Sequence, residues 1–142
     1  MTLEGLLYEI GEMGIRNKAI NYSAAGADIY ELNPAKIEGY PILFASPTGN
    51  HNVKNSTTEF EITLYYLERL LNDSSNDIQI FSTAIEQLEN IIRGIGYIDE
   101  VLEVSSEYQI SNFTDTERMT DRVAGAFCTI RILVVNGDTC FR

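Results

Sequence analysis

Apolar residues recur at helical spacing in two parts of the chain. Near the start, the spacing predicts an amphipathic helix that Thr2 can cap and Gly14 can end. A longer stripe predicts a second helix over 78–95, with Asp77 placed to cap its start and glycines at its end. The stripe of the second helix consists of Ile78, Phe81, Ile85, Leu88, Ile91, Ile92 and Ile95.

Four other segments have the short apolar or alternating pattern of β-strands. The segment 57–67 is the clearest, because Phe60, Ile62, Leu64 and Tyr66 alternate with polar residues and so share one face. The compact apolar run of 40–46 predicts a buried strand, and two further strands are predicted over 101–110 and 126–135.

The segment between the first helix and the first clear strand has a weaker pattern. Its small polar residues 21–27 predict a loop, and the alternation over 28–32 predicts a short strand that Pro34 stops. Near the other end, Asn136 and Gly137 predict a turn, after which 139–142 can return as a short edge strand.

This order of elements predicts one α+β domain over residues 1–142. We expect an antiparallel twisted sheet of about four to five strands with two helices packed on one face. The pattern contains no internal repeat, low-complexity tract or second domain.

The connection between the last two predicted strands is unusually long. Its fifteen residues, 111–125, exceed what paired strands normally need, and long connections are often functional. It is either a plain surface loop or a contact arm toward a neighbouring subunit. For a contact arm, Phe113 and Met119 would be the apolar anchors, and Arg118 and Arg122 would pair with acidic surface.

The charge balance narrows the classes of partner. Asp and Glu number 21 against 10 Lys and Arg, which gives a net charge of −11. Such a surface repels nucleic acid phosphates and anionic lipid, so a role in gripping DNA or RNA is disfavoured. We expect no secretory leader and no membrane-spanning segment, since glutamates interrupt the apolar residues at the start and no apolar run is long enough.

Residue types that carry most enzyme chemistry are scarce in this sequence. The one histidine, His51, lies in a turn-forming stretch, and Cys128 and Cys140 lack the spacing of a metal or redox motif, so they are expected to be free thiols. No phosphate-binding glycine loop or nucleophile elbow occurs. We therefore expect no catalytic residue, no metal and no cofactor; a carboxylate-based enzyme stays as a minor alternative.

The chain as a whole resembles the tail-terminator and tail-completion proteins of long-tailed bacteriophages in the order of its elements. Several phrases are also similar to ring proteins in the short tails of crAss-like phages of Bacteroidales. These phrases are NYSAAGADIYELN (21–33), YPILFASPTG (40–49), TTEFEITLYYLERLL (57–71), SNDIQIFSTAIEQLENIIRGI (75–95) and SNFTDTERMTDRVAGAFCTIRI (111–132).

The resemblance implies a structural virion protein without enzymatic activity or cofactor. It implies a homo-oligomeric ring, six- or twelve-fold, at the head–tail connector or in the tail, next to other ring proteins. In such a ring, the loop over 111–125 and an exposed edge of the sheet could supply the two different contact patches of each subunit. DNA would pass through the lumen without specific binding, and the subunit would lie in the host cytoplasm during assembly.

The acidic composition allows a different function. An acidic inhibitor that mimics DNA and binds a basic host protein would have the same charge. Recovery of a nuclease or repressor in a pull-down, without virion proteins, would favour this alternative.

Overall fold

A computed structural model describes residues 1–32, 39–47, 49–71, 75–116 and 122–136. Within these residues the elements follow in the order α1, β1, η1, β2, β3, β4, α2, β5, β6 and β7, where η1 is a single 3₁₀ turn. Their bounds are α1 Leu3–Arg16, β1 Tyr22–Ala25, η1 Ile29–Glu31, β2 Ile42–Pro47, β3 Asn52–Val53, β4 Thr57–Arg69, α2 Asp77–Ile95, β5 Val101–Val104, β6 Ile110–Asp115 and β7 Val123–Val135.

The predicted α+β class is confirmed, and the sheet differs in two respects from the prediction. In the described part of the chain it has seven strands rather than four to five, and it is mixed, because β1 pairs with β2 in parallel. The long strands β4 and β7 lie at its centre. The outer side of β4 is shared by two short strands, β2 and β3, and the outer side of β7 is shared by β5 and β6. The sheet is therefore five strands wide.

Both helices pack on one face of this sheet. Leu6 and Ile10 of α1 and the apolar residues of α2 belong to one buried cluster, together with alternate residues of the strands. Each fully buried aliphatic side chain contributes about 1.5–3 kcal/mol relative to exposure. The strand residues of this cluster are Leu43, Ala45, Phe60, Ile62, Leu64, Tyr66, Ala126, Cys128, Ile130, Ile132 and Val134.

The opposite face of the sheet carries a smaller cluster instead of a helix. Ile29, the first residue of the 3₁₀ turn, and Leu32, directly after it, pack against Ile42, Phe44 and Leu67 there. The predicted strand over 28–32 is therefore wrong. Asp28 accepts a hydrogen bond from the Tyr30 N–H, which caps the turn and prevents an extended conformation.

Two predicted helix boundaries are also wrong. Gly14 does not end α1; the helix continues to Arg16, and the Asn17 N–H bonds to the carbonyls of Met13 and Gly14. Asp77 is the first residue of α2 rather than its cap. The preceding Asn76 fastens the connection from β4, since its amide accepts from the Leu71 N–H and donates to the Arg69 carbonyl.

Of four further predictions, one is confirmed, two are wrong and one lies outside the described residues. The Thr2 cap is confirmed, with its hydroxyl accepting from the Gly5 N–H at 3.0 Å. The single strand predicted over 101–110 is wrong, because β5 and β6 pair with different halves of β7. The loop predicted over 21–27 contains β1. The predicted edge strand over 139–142 lies outside the described residues.

Replacing Gly125 by alanine should destabilise the protein by about 1–3 kcal/mol, the usual range for overpacking. A Cβ at this position in β7 would collide with the backbone carbonyl of Tyr66 on β4. Gly11 is the matched control, because a Cβ there meets nothing within 4 Å. Gly11→Ala should stabilise α1 by about 0.5–1 kcal/mol. Urea denaturation measures both, and equal stabilities for the two variants would contradict the packing at Gly125.

Alkaline pH should destabilise the fold through the core thiol. Burial raises the pKa of Cys128 from 9.0 to about 12. The unfolded chain then loses this proton from about pH 9 while the folded chain keeps it, so stability falls as pH rises from about 9 to 12. Thermal denaturation against pH should show a shallower decline for Cys128→Ala. An unchanged slope would contradict the assignment; the residual slope belongs to groups such as Tyr66, whose pKa burial raises to about 12.

Candidate functional site

The two outer edges of the sheet lie at the ends of the same rows of residues. One row runs through Tyr22, Ile42, Leu67, Gly125 and Phe113, from β1 across to β6. The next three rows connect the rest of β1 to β6 in the same way, ending with Ala25 and Ile110. The edge strands β1 and β6 therefore lie level with each other along the strand direction, at opposite edges of the sheet.

The β1 edge has backbone groups that point outward. The Tyr22 N–H donates to the carbonyl of Pro41, just before β2, and the Gly26 N–H donates to the carbonyl of Ala45 within β2. Because backbone groups alternate in direction along a strand, those of Ser23 and Ala25 point away from β2. No strand pairs with this side of β1 in the described part of the chain. The strand carries neither lysine nor proline, the residues that commonly block such an edge.

A groove of about 490 Å³ lies between this edge and α1. The core-facing residues of α1 are Leu6, Ile10 and Gly14. A second apolar stripe lines the groove beside Ser23, Ala24 and Ala25; it consists of Leu3, Leu7, Tyr8, Gly11 and Ile15. Leu3 and Leu7 are half-buried and also pack against the main core, whereas Tyr8 and Ile15 are each 64 % exposed, so the outer part of this stripe faces solvent. Glu4 and Glu12 complete the lining.

Close contact between α1 and β1 fixes the inner wall of this groove. Gly14 packs directly on the Ser23 side chain, and no larger residue fits there. The Ser23 hydroxyl is buried and has no hydrogen-bond partner within the described residues. The helix therefore lies close over the strand while its outer stripe stays open.

The β6 edge, at the other end of the rows, also has outward backbone groups. On β7, Arg131 and Val135 bond toward the β5 side, whereas the flanking residues Arg122 and Asn136 bond toward the β4 side. Odd-numbered residues of β7 therefore bond to β6, and the partners of these residues are Ser111, Phe113 and Asp115. The backbone groups of Ile110, Asn112 and Thr114 consequently point to the open edge.

An apolar flank of α2 lies on the same side as β6. Gln87 and Gly94 mark the flank of α2 that contacts α1, through a bond from the Asn17 amide and the side chain of Met13. At 3.6 residues per turn, Ile78 and Ile85 lie on the opposite flank. Ile78 is 76 % exposed and Ile85 36 %, and the half-buried Phe81 beside them packs near Ala124 of β7.

The structure assigns the sequence-predicted contact residues to different surroundings. The predicted connection over 111–125 is wrong, since it contains β6 and the start of β7. Phe113 lies within the sheet, in an aromatic cluster with Tyr65 and Phe127 on the helix-free face. The Arg122 carbonyl accepts from the Leu70 N–H. Arg118 and Met119 lie outside the described residues.

Sequence analysis expected an exposed sheet edge as a contact patch but did not identify the strands and helix flanks that form the two edges, for identifiable reasons. Ile78 and Ile85 were assigned to the buried stripe of α2, whereas the core uses Ile80 and Ala84 instead. On α1, Tyr8 and Ile15 lie outside the buried stripe and were the available signal of a second apolar face.

Several ionisable side chains of the described residues make contacts within the sheet. No group of three or more His, Cys, Asp or Glu residues in the described ranges could hold a metal ion. The imidazole of His51 accepts from the Glu61 N–H at 3.2 Å and packs edge-on against Phe60. Arg131 bridges Glu59 and Glu61 at 3.0 and 2.7 Å on the helix-free face. These contacts fasten neighbouring parts of the sheet to one another.

Neither α-helix in the described part of the chain is long and apolar enough to cross a lipid bilayer.

The sequence matches no protein-family model, and no curated protein is significantly similar to it.

Polar substitution of the exposed apolar residues should leave the fold intact. Ile15→Gln and Ile78→Gln remove side chains that the core does not use, and glutamine is a good helix former. We expect each variant to keep its free energy of unfolding within about 0.5 kcal/mol of the parent, as is usual at such surface positions. Urea denaturation checks this, and a loss above about 2 kcal/mol would mean that these residues belong to the core.

Proposed function

We propose that this protein is a structural component of a bacteriophage virion that forms a homo-oligomeric ring at the head–tail connector or in the tail. DNA passes through the ring during packaging and ejection. The observation that carries the proposal is the pair of unlike apolar edges at opposite ends of one sheet. The resemblance of the sequence to tail-terminator and tail-completion proteins gives the proposal its biological setting.

A closed ring with rotational symmetry needs two different surfaces on each subunit. The edge formed by β1 and α1 and the edge formed by β6 and α2 meet this requirement, because they differ in composition and lie on opposite sides of the domain. Tyr8 and Ile15 lie together along one groove, and grouped apolar exposure of this kind marks interaction sites more often than residues exposed singly.

The charge fits a passage for DNA. A net charge of −11 on each copy gives a ring a strongly negative potential, which opposes binding of phosphates at its wall. The half-exposed Arg131 is already paired with Glu59 and Glu61, so it does not act as an isolated cation. DNA then moves through without the salt-sensitive affinity that rows of free lysine and arginine would produce.

The same charge opposes assembly, because like subunits repel one another. The repulsion is screened over about 8 Å at physiological ionic strength. Apolar contact and backbone pairing at the two edges must therefore supply the attraction, while the protein waits in the host cytoplasm for its place in the particle.

Purified particles of the phage that encodes this chain test the proposal. Mass spectrometry should detect the protein at a constant ratio of six or twelve copies to each particle. Electron microscopy of particles labelled with an antibody against it should mark the neck or tail. Absence from the particles, together with recovery of a basic host nuclease or repressor in a pull-down, would replace the ring by the acidic DNA mimic.

A further inference from the structure

We infer that successive copies of this protein join edge to edge, with β6 of one copy added to β1 of the next so that their sheets become continuous. The occupant of the groove beside α1 is thus a second copy of this chain, contributing β6 and the apolar flank of α2. The inference rests on the ring proposed above and specifies the contact that builds it.

Strand directions make this pairing antiparallel. From β1 the directions continue unchanged to β2 and then reverse at β4, at β7 and at β6, so β1 and β6 run in opposite directions. The outward backbone groups belong to Ser23 and Ala25 on one edge and to Ile110, Asn112 and Thr114 on the other. In an antiparallel ladder such residues exchange hydrogen bonds in pairs.

The two helical layers then fall on the same side of the joined sheet. Ser23 is on the helix-bearing face, as its contact with Gly14 shows, and Ile110 packs against the main core on that same face. Joining β6 to β1 therefore brings the flank of α2 beside α1 of the next copy. Ile78 and Ile85 would cover the stripe that includes Tyr8 and Ile15, and one contact removes both exposed stripes from water.

Helix polarity gives this contact charge complementarity at the helix ends, while Glu4 and Glu12 of the groove and Glu89 of α2 are like charges that the apolar contact must outweigh. Within one copy α1 and α2 run in opposite directions, since Asn17 reaches Gln87 while the earlier Met13 reaches the later Gly94. The same holds between copies in a continuous sheet. Each helix has an acidic residue in its first turn and a basic residue in its last: Glu4 and Arg16 in α1, Asp77 and Arg93 in α2. Antiparallel helices set these unlike charges against each other.

A two-fold pairing of β1 with β1 is the main competing arrangement. It would cover the α1 stripe, but it would leave the β6 edge and Ile78 exposed in both copies. The edge-to-edge contact covers the exposed sides of β1, α1, β6 and α2 at once, and it can repeat around a ring. The two arrangements differ in which residues meet, so cross-linking separates them.

Two single-cysteine variants provide the test. Ala25→Cys and Asn112→Cys are both exposed and lie on the helix-bearing face, two rows apart, so they would come within about 7–8 Å of each other only in the edge-to-edge contact. Both are made with Cys140→Ser, and the native Cys128 is buried and stays protonated because burial raises its pKa to about 12. Each variant alone, and the two mixed, are treated with a short bismaleimide at low salt and at about 1 M salt, where the screening length falls to about 3 Å.

The mixture should give a cross-linked dimer containing one copy of each variant, while each variant alone stays monomeric on a denaturing gel. A dimer of Ala25→Cys alone would establish the two-fold pairing and overturn the inference. Absence of the mixed dimer at both salt concentrations would also overturn it.

Glutamine substitutions check the helix flanks. Adding Ile15→Gln to the Ala25→Cys partner or Ile78→Gln to the Asn112→Cys partner should reduce the mixed dimer about tenfold or more, since each removes an aliphatic side chain that the contact buries. Val53→Gln is the matched control, because Val53 is 75 % exposed but lies on β3, away from both edges. Equal losses for all three substitutions would contradict the proposed flanks.

These results are separable from the fate of the ring itself. If the protein is in the virion and the mixed dimer does not form, the ring stands and this contact is wrong. If the mixed dimer forms and the protein is absent from particles, the contact stands and the virion function is wrong.

Discussion

The antiparallel ladder between β4 and β7 determines the rest of the architecture. Both strands have thirteen residues, and they are paired in register along their whole length. Alternation along this ladder assigns Ile62, Leu64, Ile130 and Ile132 to one face, and that face holds both helices. Because every other strand is shorter, the outer sides of β4 and β7 are each divided between two partners. The width of the sheet and the position of its edges follow from this central pair.

The strongest sequence patterns identified the central part of the fold. Alternation over 57–67 predicted β4 with the correct inward face, since a strand with one buried face repeats every two residues. The patterns failed at the edges. β1 consists of small and polar residues that read as a loop, and β6 places Asn112 and Thr114 at a half-covered edge where no apolar alternation is required. Neighbouring strands, rather than local propensity, hold these segments extended.

The candidate site was harder to predict than the fold, because its pieces come from distant segments. Nothing in the local sequence connects Ser23 to Asn112; four sets of strand pairs place them at the two ends of one row. Excess apolar residues on the helices were visible in the sequence. Their separation into core and exposed stripes depends on where each helix lies over the sheet, and that is a property of the folded domain. The segment 111–125 was predicted to be a loop that contacts a neighbouring subunit, whereas its described residues include most of β6 and the start of β7.

The distance along the chain between the two central strands has a kinetic consequence. Closing β4 against β7 requires the intervening segment 70–122, with the whole of α2, to be brought together first. Folds dominated by such long-range pairs form slowly, because the entropy of loop closure is spent before the contacts repay it. During that interval the unpaired strands of separate chains can find one another. When a cell makes many copies at once, folding of each chain therefore competes with association between unfolded chains. The yield of folded subunits then depends on the rate at which the β4–β7 ladder forms.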